Sequence, residues 1–338
     1  MKRILVVNVN WLGDVIFSSP VFAALRKQYP SARICCLTVP RVAEVAQHIP
    51  CVDDVMIYDE KGKDRFLLGK IRLVREIRAQ KFDGVFLLHG SWTRALLVFL
   101  AGIPVRAGYN IKRRGWLLTH RMDVPQGMVH RSDHYLKVVE SFCDLSTVPR
   151  TTNLRVSSED VTAAQEQLAA LGVKEHDFVV LMHVGGNWSL KRWPIENFAK
   201  LSDALTEREN TKVVICGGVS EQVLKERILK ETVRKPIIMV GHTNFSQLVG
   251  LMKSVHVAVS ADSGPLHVAT SVATPVVGLF GPTHPDVTGP RGGGRTSILR
   301  FHVGCNIKPC YHEQCQDNIC MKAISVKDVV EKIEQVRN

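Results

Sequence analysis

The 338-residue chain has no run approaching the roughly 20 uncharged apolar residues that a spanning helix needs. Its apolar stretch at 96–105 is about half that length and contains a turn-forming Gly-Ile-Pro. The Met1-Lys2-Arg3 start has the charge of a leader peptide, but Asn8, Asn10 and Asp14 interrupt the apolar segment that should follow. A cytoplasmic protein, at most peripheral to a membrane surface, is the expectation. Also missing is a G-x-G-x-x-G after the first strand, which argues against a dinucleotide on that loop and against an oxidoreductase. No Asp-x-Asp pair accompanies the phosphate-binding signatures, so no metal and no cofactor is expected. Acidic residues are the minority, 32 Asp+Glu against 44 Lys+Arg, for a net charge of +12. Such a positive field concentrates phosphates, nucleic acid or anionic membrane. No nucleic-acid fold pattern accompanies it, so nucleic acid is not an expected partner.

Nine cysteines in a chain this long do not make a secreted disulfide framework. Cys35, Cys36, Cys51, Cys143 and Cys216 lie in apolar contexts that suit buried thiols. Cys305, Cys310, Cys315 and Cys320 recur every five residues. Free thiols are the expectation there, with a thiolate metal site or a disulfide as the alternatives.

In the N-terminal half, strands at 4–10, 33–39, 54–58, 84–89 and 105–109 alternate with helices at 15–28, 41–48, 66–80, 92–101 and 131–145. Strict alternation predicts a parallel sheet covered on both faces. The polar, turn-forming stretch 146–160 marks a boundary, giving domains 1–150 and 151–338. The second half repeats the pattern, with strands at 178–184, 212–218, 236–241, 255–261 and 275–281. Helices near 196–207, 221–233, 245–253 and 265–273 separate them, and an amphipathic helix covers 325–337. In such sheets ligands bind beyond the carboxyl ends of the strands, so the segments after each strand carry the function.

Four of those segments in the second half describe an anion site. In His183-Val184-Gly185-Gly186-Asn187-Trp188-Ser189-Leu190-Lys191-Arg192-Trp193-Pro194, glycines admit a phosphate to the backbone while Lys191 and Arg192 supply charge. The plainer alternative is a turn with solvated cations. Cys216-Gly217-Gly218-Val219-Ser220-Glu221 places Glu221 at a helix start, where it either accepts from a ribose diol or only complements the helix dipole. After Gly241, Thr243 or Asn244 is a natural N-cap. In Ser260-Ala261-Asp262-Ser263-Gly264-Pro265-Leu266-His267 a strand meets a helix whose start suits an anion, unless Ser263 merely caps it. In the first half, Gly13 and Asp14 follow the first strand. Asp14 is either a helix cap or a general base. Arg106, Lys112, Arg113, Arg114, Arg121 and Arg131, with Trp92, Trp116 and Tyr135, form either an acceptor surface for an acidic group or solvated charge.

Asn10-Trp11-Leu12-Gly13-Asp14, the 185–194 segment, Asp262–His267 and Gly-Leu-Phe-Gly-Pro-Thr at 278–283 together resemble the ADP-heptose:lipopolysaccharide heptosyltransferases, glycosyltransferase family 9. The resemblance spans nearly the whole chain in order. It implies the α/β GT-B architecture, two doubly wound Rossmann-like domains facing each other across a cleft, with acceptor on the N-terminal and nucleotide sugar on the C-terminal domain. It also implies roles: Asp14 the catalytic base, Lys191 the donor-phosphate lysine, Glu221 a ribose contact and Asp262 an acid near the donor sugar. Ser263, Gly264 and His267 form the diphosphate-binding helix start. Gly185, Gly186, Asn187, Trp188, Arg192, Gly241 and Thr243 complete the donor set, and Gly13, Arg94, Arg106, Arg113 and Arg131 are acceptor candidates. Pro309-Cys310-Tyr311 resembles a variant tail seen in part of the family. The implied partners are ADP-heptose, a phosphorylated lipopolysaccharide core and the cytoplasmic face of the inner membrane, approached by a monomer. The implied chemistry is inverting transfer by direct displacement; a nucleotide-sugar epimerase of the same fold, or a family member using another nucleotide sugar, is the alternative.

Overall fold

The computed structural model describes residues 1–305, 310, 315 and 317–337. The chain divides into two compact units, Met1–Arg155 and Val156–Asn338. In the first, β1 (Arg3–Val7), β2 (Arg33–Thr38), β3 (Asp54–Ile57), β4 (Gly84–Leu87), β5 (Val105–Tyr109) and β6 (His120–Met122) form one sheet. Its order is β3-β2-β1-β4-β5-β6 and every pairing is parallel. Parallel strands bury both faces, and Ile4, Leu5, Val6 and Val7 of β1 are each 0% exposed. The covering helices are α1 (Leu12–Phe17), α2 (Ser19–Gln28), α3 (Ala43–Gln47), α4 (Leu67–Ala79), α5 (Trp92–Leu100) and α6 (Arg131–Leu136).

The second unit opens with α7 (Ser158–Ala170), followed by β7 (Phe178–His183), α8 (Ile195–Thr206), β8 (Thr211–Gly217), α9 (Gln222–Glu231) and β9 (Ile237–Val240). Then come α10 (Phe245–Lys253), β10 (Val257–Ala261), α11 (Gly264–Ser271), β11 (Val276–Leu279), α12 (Pro285–Thr288), β12 (Thr296–Leu299), α13 (Ile319–Lys322) and α14 (Val326–Arg337). Its parallel sheet runs β12-β11-β10-β7-β8-β9, the same order as the first once each unit's strands are counted from its own start. In both sheets the order reverses beside the unit's first strand. That switch point lies between β1 and β4 in one unit and between β7 and β10 in the other, and it is where a doubly wound sheet opens a crevice. Val180, Val213, Val257 and Val277 build the second core, which α14 covers through Val329, Ile333 and Val336. Among the described residues no helix is long and apolar enough to cross a membrane.

Several elements differ from the sequence expectation. The helix expected at 15–28 is two: Pro20 lacks the N–H that would bond back to Ile16, and the chain breaks at Ser18. The helix expected at 131–145 ends at Leu136 and continues only as a 3-10 turn, Lys137–Val139. α7 begins inside the polar stretch 146–160, and the short edge strands β6 and β12 lie outside the expected strands. Cys35, Cys36, Cys143 and Cys216 are buried thiols, whereas Cys51 is half-buried at φ +70°. Among the described residues Cys305, Cys310, Cys315 and Cys320 form no disulfide. Pro309 and Tyr311 lie outside the described residues.

Candidate functional site

At the switch point of the second unit, the register pairs His183 of β7 with Ser260 of β10. Burial pushes the His183 imidazole down to about 4, so it is neutral at ordinary pH. Its Nδ1 lies 3.3 Å from Ser260 Oγ and 3.2 Å from Ser263 Oγ. The Ser263 hydroxyl is therefore turned toward His183 and Ser260, 2.9 Å away, and makes no cap bond to α11. With Pro265 in the first turn and no side-chain cap, the α11 start keeps backbone N–H groups for an anion.

Asp262, next to that start, is 4% exposed. Its Oδ2 meets Lys191 Nζ at 2.8 Å and accepts from Thr288 Oγ1 at 3.0 Å; Oδ1 lies 3.5 Å from His267 Nε2. Burial opposes ionisation of this carboxyl, but the His267 hydrogen bond and the Lys191 charge outweigh it and hold its pKa well below the carboxylate range. Asp262 thus ties the Lys191 ammonium to the strand end that leads into α11.

The loop after β7 is built to hold Lys191 there. Trp193, 1% exposed, donates from its indole to the Ile324 carbonyl at 3.0 Å and anchors the loop's end. Arg192 donates from Nε and Nη2 to the Gly186 carbonyl at 2.9 and 2.6 Å, so this cation braces the loop. Gly186 has φ +139°, and a Cβ at Gly185 would stand 2.4 Å from Glu221 Cγ. Both positions require glycine. Glu221, 8% exposed, accepts from Gly218 N at 2.7 Å and Ser220 Oγ at 3.0 Å. Trp188 is half-buried, its ring centroid 5.9 Å from Lys191 Nζ, and Asn187 is exposed. Gly241 at φ +77° follows β9, and Asn244 rather than Thr243 caps α10, through a box with Gln247. Thr243 stands half-buried between them.

In the first unit, Gly13 and Asp14 occupy the first turn of α1, whose N-cap, Trp11, makes no side-chain bond. Asp14 Oδ1 accepts from Tyr135 Oη at 2.7 Å and lies 3.9 Å from Arg131 Nε, both partners on α6. Its Oδ2 makes no hydrogen bond or ion pair among the described residues. Burial first, and then the Asp14 carboxylate, keep the Tyr135 phenol protonated as a donor. Arg94 is 1% exposed. It donates to Asn8 O at 2.9 Å, Asn10 Oδ1 at 2.8 Å and Glu60 Oε2 at 3.2 Å, fastening the loop that leads to Asp14. Arg106 is tied to the carbonyls of Leu117, Ile103 and Pro104. Arg113 is exposed at φ +57°. Of the four acceptor arginines, only Arg131 stands beside Asp14.

In the sequence Tyr135 is one aromatic among cations, and nothing there announces its bond to Asp14 or that of Thr288 to Asp262. Neither had a local signal, being 121 and 26 residues from its partner. Among the described residues no group of three or more His, Cys, Asp or Glu side chains is placed to hold a metal.

A family model described as glycosyltransferase family 9 (heptosyltransferase) matches residues 70–319. The chain belongs to glycosyltransferase family 9. This transferase is 26% identical over 336 residues to the lipopolysaccharide heptosyltransferase 3 of Escherichia coli (strain K12), covering 97% of this chain and 96% of that one. A lipooligosaccharide heptosyltransferase 2 of Haemophilus influenzae is also 26% identical, over 90% of each chain. Among solved structures, a glycosyl transferase family 9 protein of Veillonella parvula superposes with TM-score 0.87 at 26% identity, over 99% of this chain and 97% of that one. The Escherichia coli ADP-heptose lps heptosyltransferase II gives TM-score 0.82 at 22% identity, over 100% and 98%, a likeness of fold. The fold is GT-B, α/β with two Rossmann-like units.

Proposed function

We propose that this family 9 glycosyltransferase moves a heptose from ADP-heptose to the inner core of lipopolysaccharide with inversion at the anomeric carbon. The observation that carries the donor half is the Asp262-held Lys191 ammonium beside the uncapped start of α11. A buried carboxylate fixing one cation at a helix N-terminus is suited to the charge that grows on a departing diphosphate. Glu221 would face the ribose, with Gly185, Gly186, Asn187, Trp188, Arg192, Gly241 and Thr243 shaping the donor loops. These groups make the donor side in the second unit, Val156–Asn338, and the first unit, Met1–Arg155, makes the acceptor side.

On that side Asp14 takes the proton of the attacking hydroxyl through Oδ2 while Tyr135 holds Oδ1. The acceptor oxygen bonds to the anomeric carbon as the bond from that carbon to the phosphate oxygen breaks, and ADP leaves with the electron pair. No covalent enzyme intermediate is needed. Arg131 and Gly13 would touch the acceptor, whereas Arg94 acts through the loop it fastens. The names of the relatives support a lipopolysaccharide or lipooligosaccharide acceptor, and with it action by a monomer at the cytoplasmic face of the inner membrane.

The family assignment favours transfer over epimerisation, and one incubation separates them. ADP-heptose with acceptor yields a glycosylated product by mass spectrometry, and donor alone yields none; an isomerised free sugar from donor alone contradicts transfer. Lys191→Ala should weaken ADP binding and lower turnover by roughly 100-fold or more. Unchanged ADP affinity would remove Lys191 from the phosphate site.

A further inference from the structure

Residues 61–81 take no part in the proposed transfer, yet they depart from the rules of helix capping and charge balance. α4 starts without a cap: Phe66 occupies that position with no side-chain hydrogen bond, and the first turn holds no acid. The helix buries only Gly69, Leu73 and Ile77. Phe66 and Leu67 are each 72% exposed, Leu68 is 82% and Ile71 is 38% exposed. A single exposed leucine needs no explanation, but four large apolar side chains within six residues form a patch.

The turn before the helix directs its charges unequally. Asp59 accepts from Gly62 N at 3.0 Å and Lys63 N at 3.1 Å. Asp64, 1% exposed, accepts from Asp59 N at 2.9 Å and Arg72 Nη2 at 2.6 Å, and Glu60 holds Arg94. All three acids are thus engaged within the fold. Lys61, Lys63 and Arg65 are exposed, as are Arg72, Arg75, Arg78 and Lys81 further along. A Cβ on Gly69 would lie 2.2 Å from the Lys63 carbonyl, so turn and helix start are packed as one rigid piece.

We propose that this piece docks on an anionic bilayer, with Phe66, Leu67 and Leu68 entering the boundary between headgroups and acyl chains. Lys61, Lys63 and Arg65 bind the lipid phosphates around them. Charge decides between a membrane and a second copy of the chain. In a two-fold pairing the same cations would face one another around the apolar tip, whereas acidic headgroups complement them. The purpose of docking rests on the reading that the acceptor is lipid-linked, but docking itself is measured without donor or acceptor.

The test is co-sedimentation of the full chain with vesicles of phosphatidylcholine alone or mixed with phosphatidylglycerol. The wild type should bind the anionic vesicles and bind neutral ones roughly 10-fold more weakly. The Phe66→Ser/Leu67→Ser/Leu68→Ser variant, with Tm unchanged, should lose about 10-fold or more on anionic vesicles. Lys61→Glu/Lys63→Glu/Arg65→Glu should lose as much, and added salt should weaken wild-type binding. A wild type indifferent to anionic vesicles overturns the proposal, as does an apolar variant that binds like wild type. So does a wild-type dimer that the apolar variant turns into a monomer with vesicle binding intact. On a deacylated, soluble acceptor the apolar variant should turn over like wild type. Vesicle binding without any transfer by the wild type would count against the heptosyl-transfer reading and leave docking standing.

Discussion

Tyr135 is 4% exposed, and its hydroxyl donates to one oxygen of Asp14 across 121 residues of chain. A hydrogen bond to a charged acceptor contributes about 1.5–3 kcal/mol, and in the proposed site it leaves Oδ2 for the attacking hydroxyl. Tyr135→Phe removes the donor and little volume. We expect kcat to fall about 10-fold or more with ADP affinity unchanged, since the proposed ADP site lies in the other unit. A kcat equal to wild type would make the bond a packing detail. Arg94 teaches a related lesson. From sequence it is one acceptor arginine among four, yet its guanidinium is engaged with Asn8, Asn10 and Glu60 at 1% exposure. A residue type announces charge; only the fold shows whether the charge points at substrate or at backbone.

Among the elements, α7 shows how a cap can outweigh a weak pattern. It buries only Ala164 and Leu168, too little to register as an amphipathic stripe, and its first three residues belong to the polar stretch 146–160 that reads as a boundary. Ser157, however, accepts from Asp160 N at 3.0 Å and donates to the Asp160 carboxylate at 2.6 Å. Ser157→Ala should lower unfolding free energy by about 1 kcal/mol in urea denaturation. No change would show that packing against α10 alone holds α7. The ten strands foreseen from sequence were legible because a parallel sheet buries both faces and leaves continuous apolar runs. The edge strands β6 and β12 were not, since His120–Met122 and Thr296–Leu299 are short and partly exposed. The start of α11 was legible from Asp-Ser-Gly-Pro, whereas the direction of the Ser263 hydroxyl was not, because His183 approaches it from a strand 80 residues earlier. Pro20 did announce the break between α1 and α2, and the 3.6-residue period across it concealed the signal.

At the scale of the molecule, the two units share one strand order, and each has a histidine at its switch point, His183 buried and His89 half-buried. Burial, reinforced at His89 by Arg94, pushes His89 and His183 down to about 4. Unfolded, both titrate near ~6.5. Between those values the unfolded chain binds more protons than the folded one, so stability falls as pH drops from about 6.5 toward 4. Buried His183 contributes on the order of 3 kcal/mol to that loss, and half-buried His89, screened by solvent, less. Asp262, held low, adds its own loss only below about pH 4. Chemical denaturation across this range should show the slope, and His183→Asn should flatten it while His89, His134 and His256, all held low, keep the remainder. An unaltered slope would mean that His183 is not neutral in the folded site.

In the proposed transfer the second unit binds the donor and Asp14 of the first takes the proton. Asp14→Asn separates the two roles when ADP affinity is measured calorimetrically and heptosyl transfer kinetically. ADP affinity should stay within about twofold of wild type while kcat falls roughly 10²–10⁴-fold. Transfer at the wild-type rate, or loss of ADP binding, would contradict this division of roles.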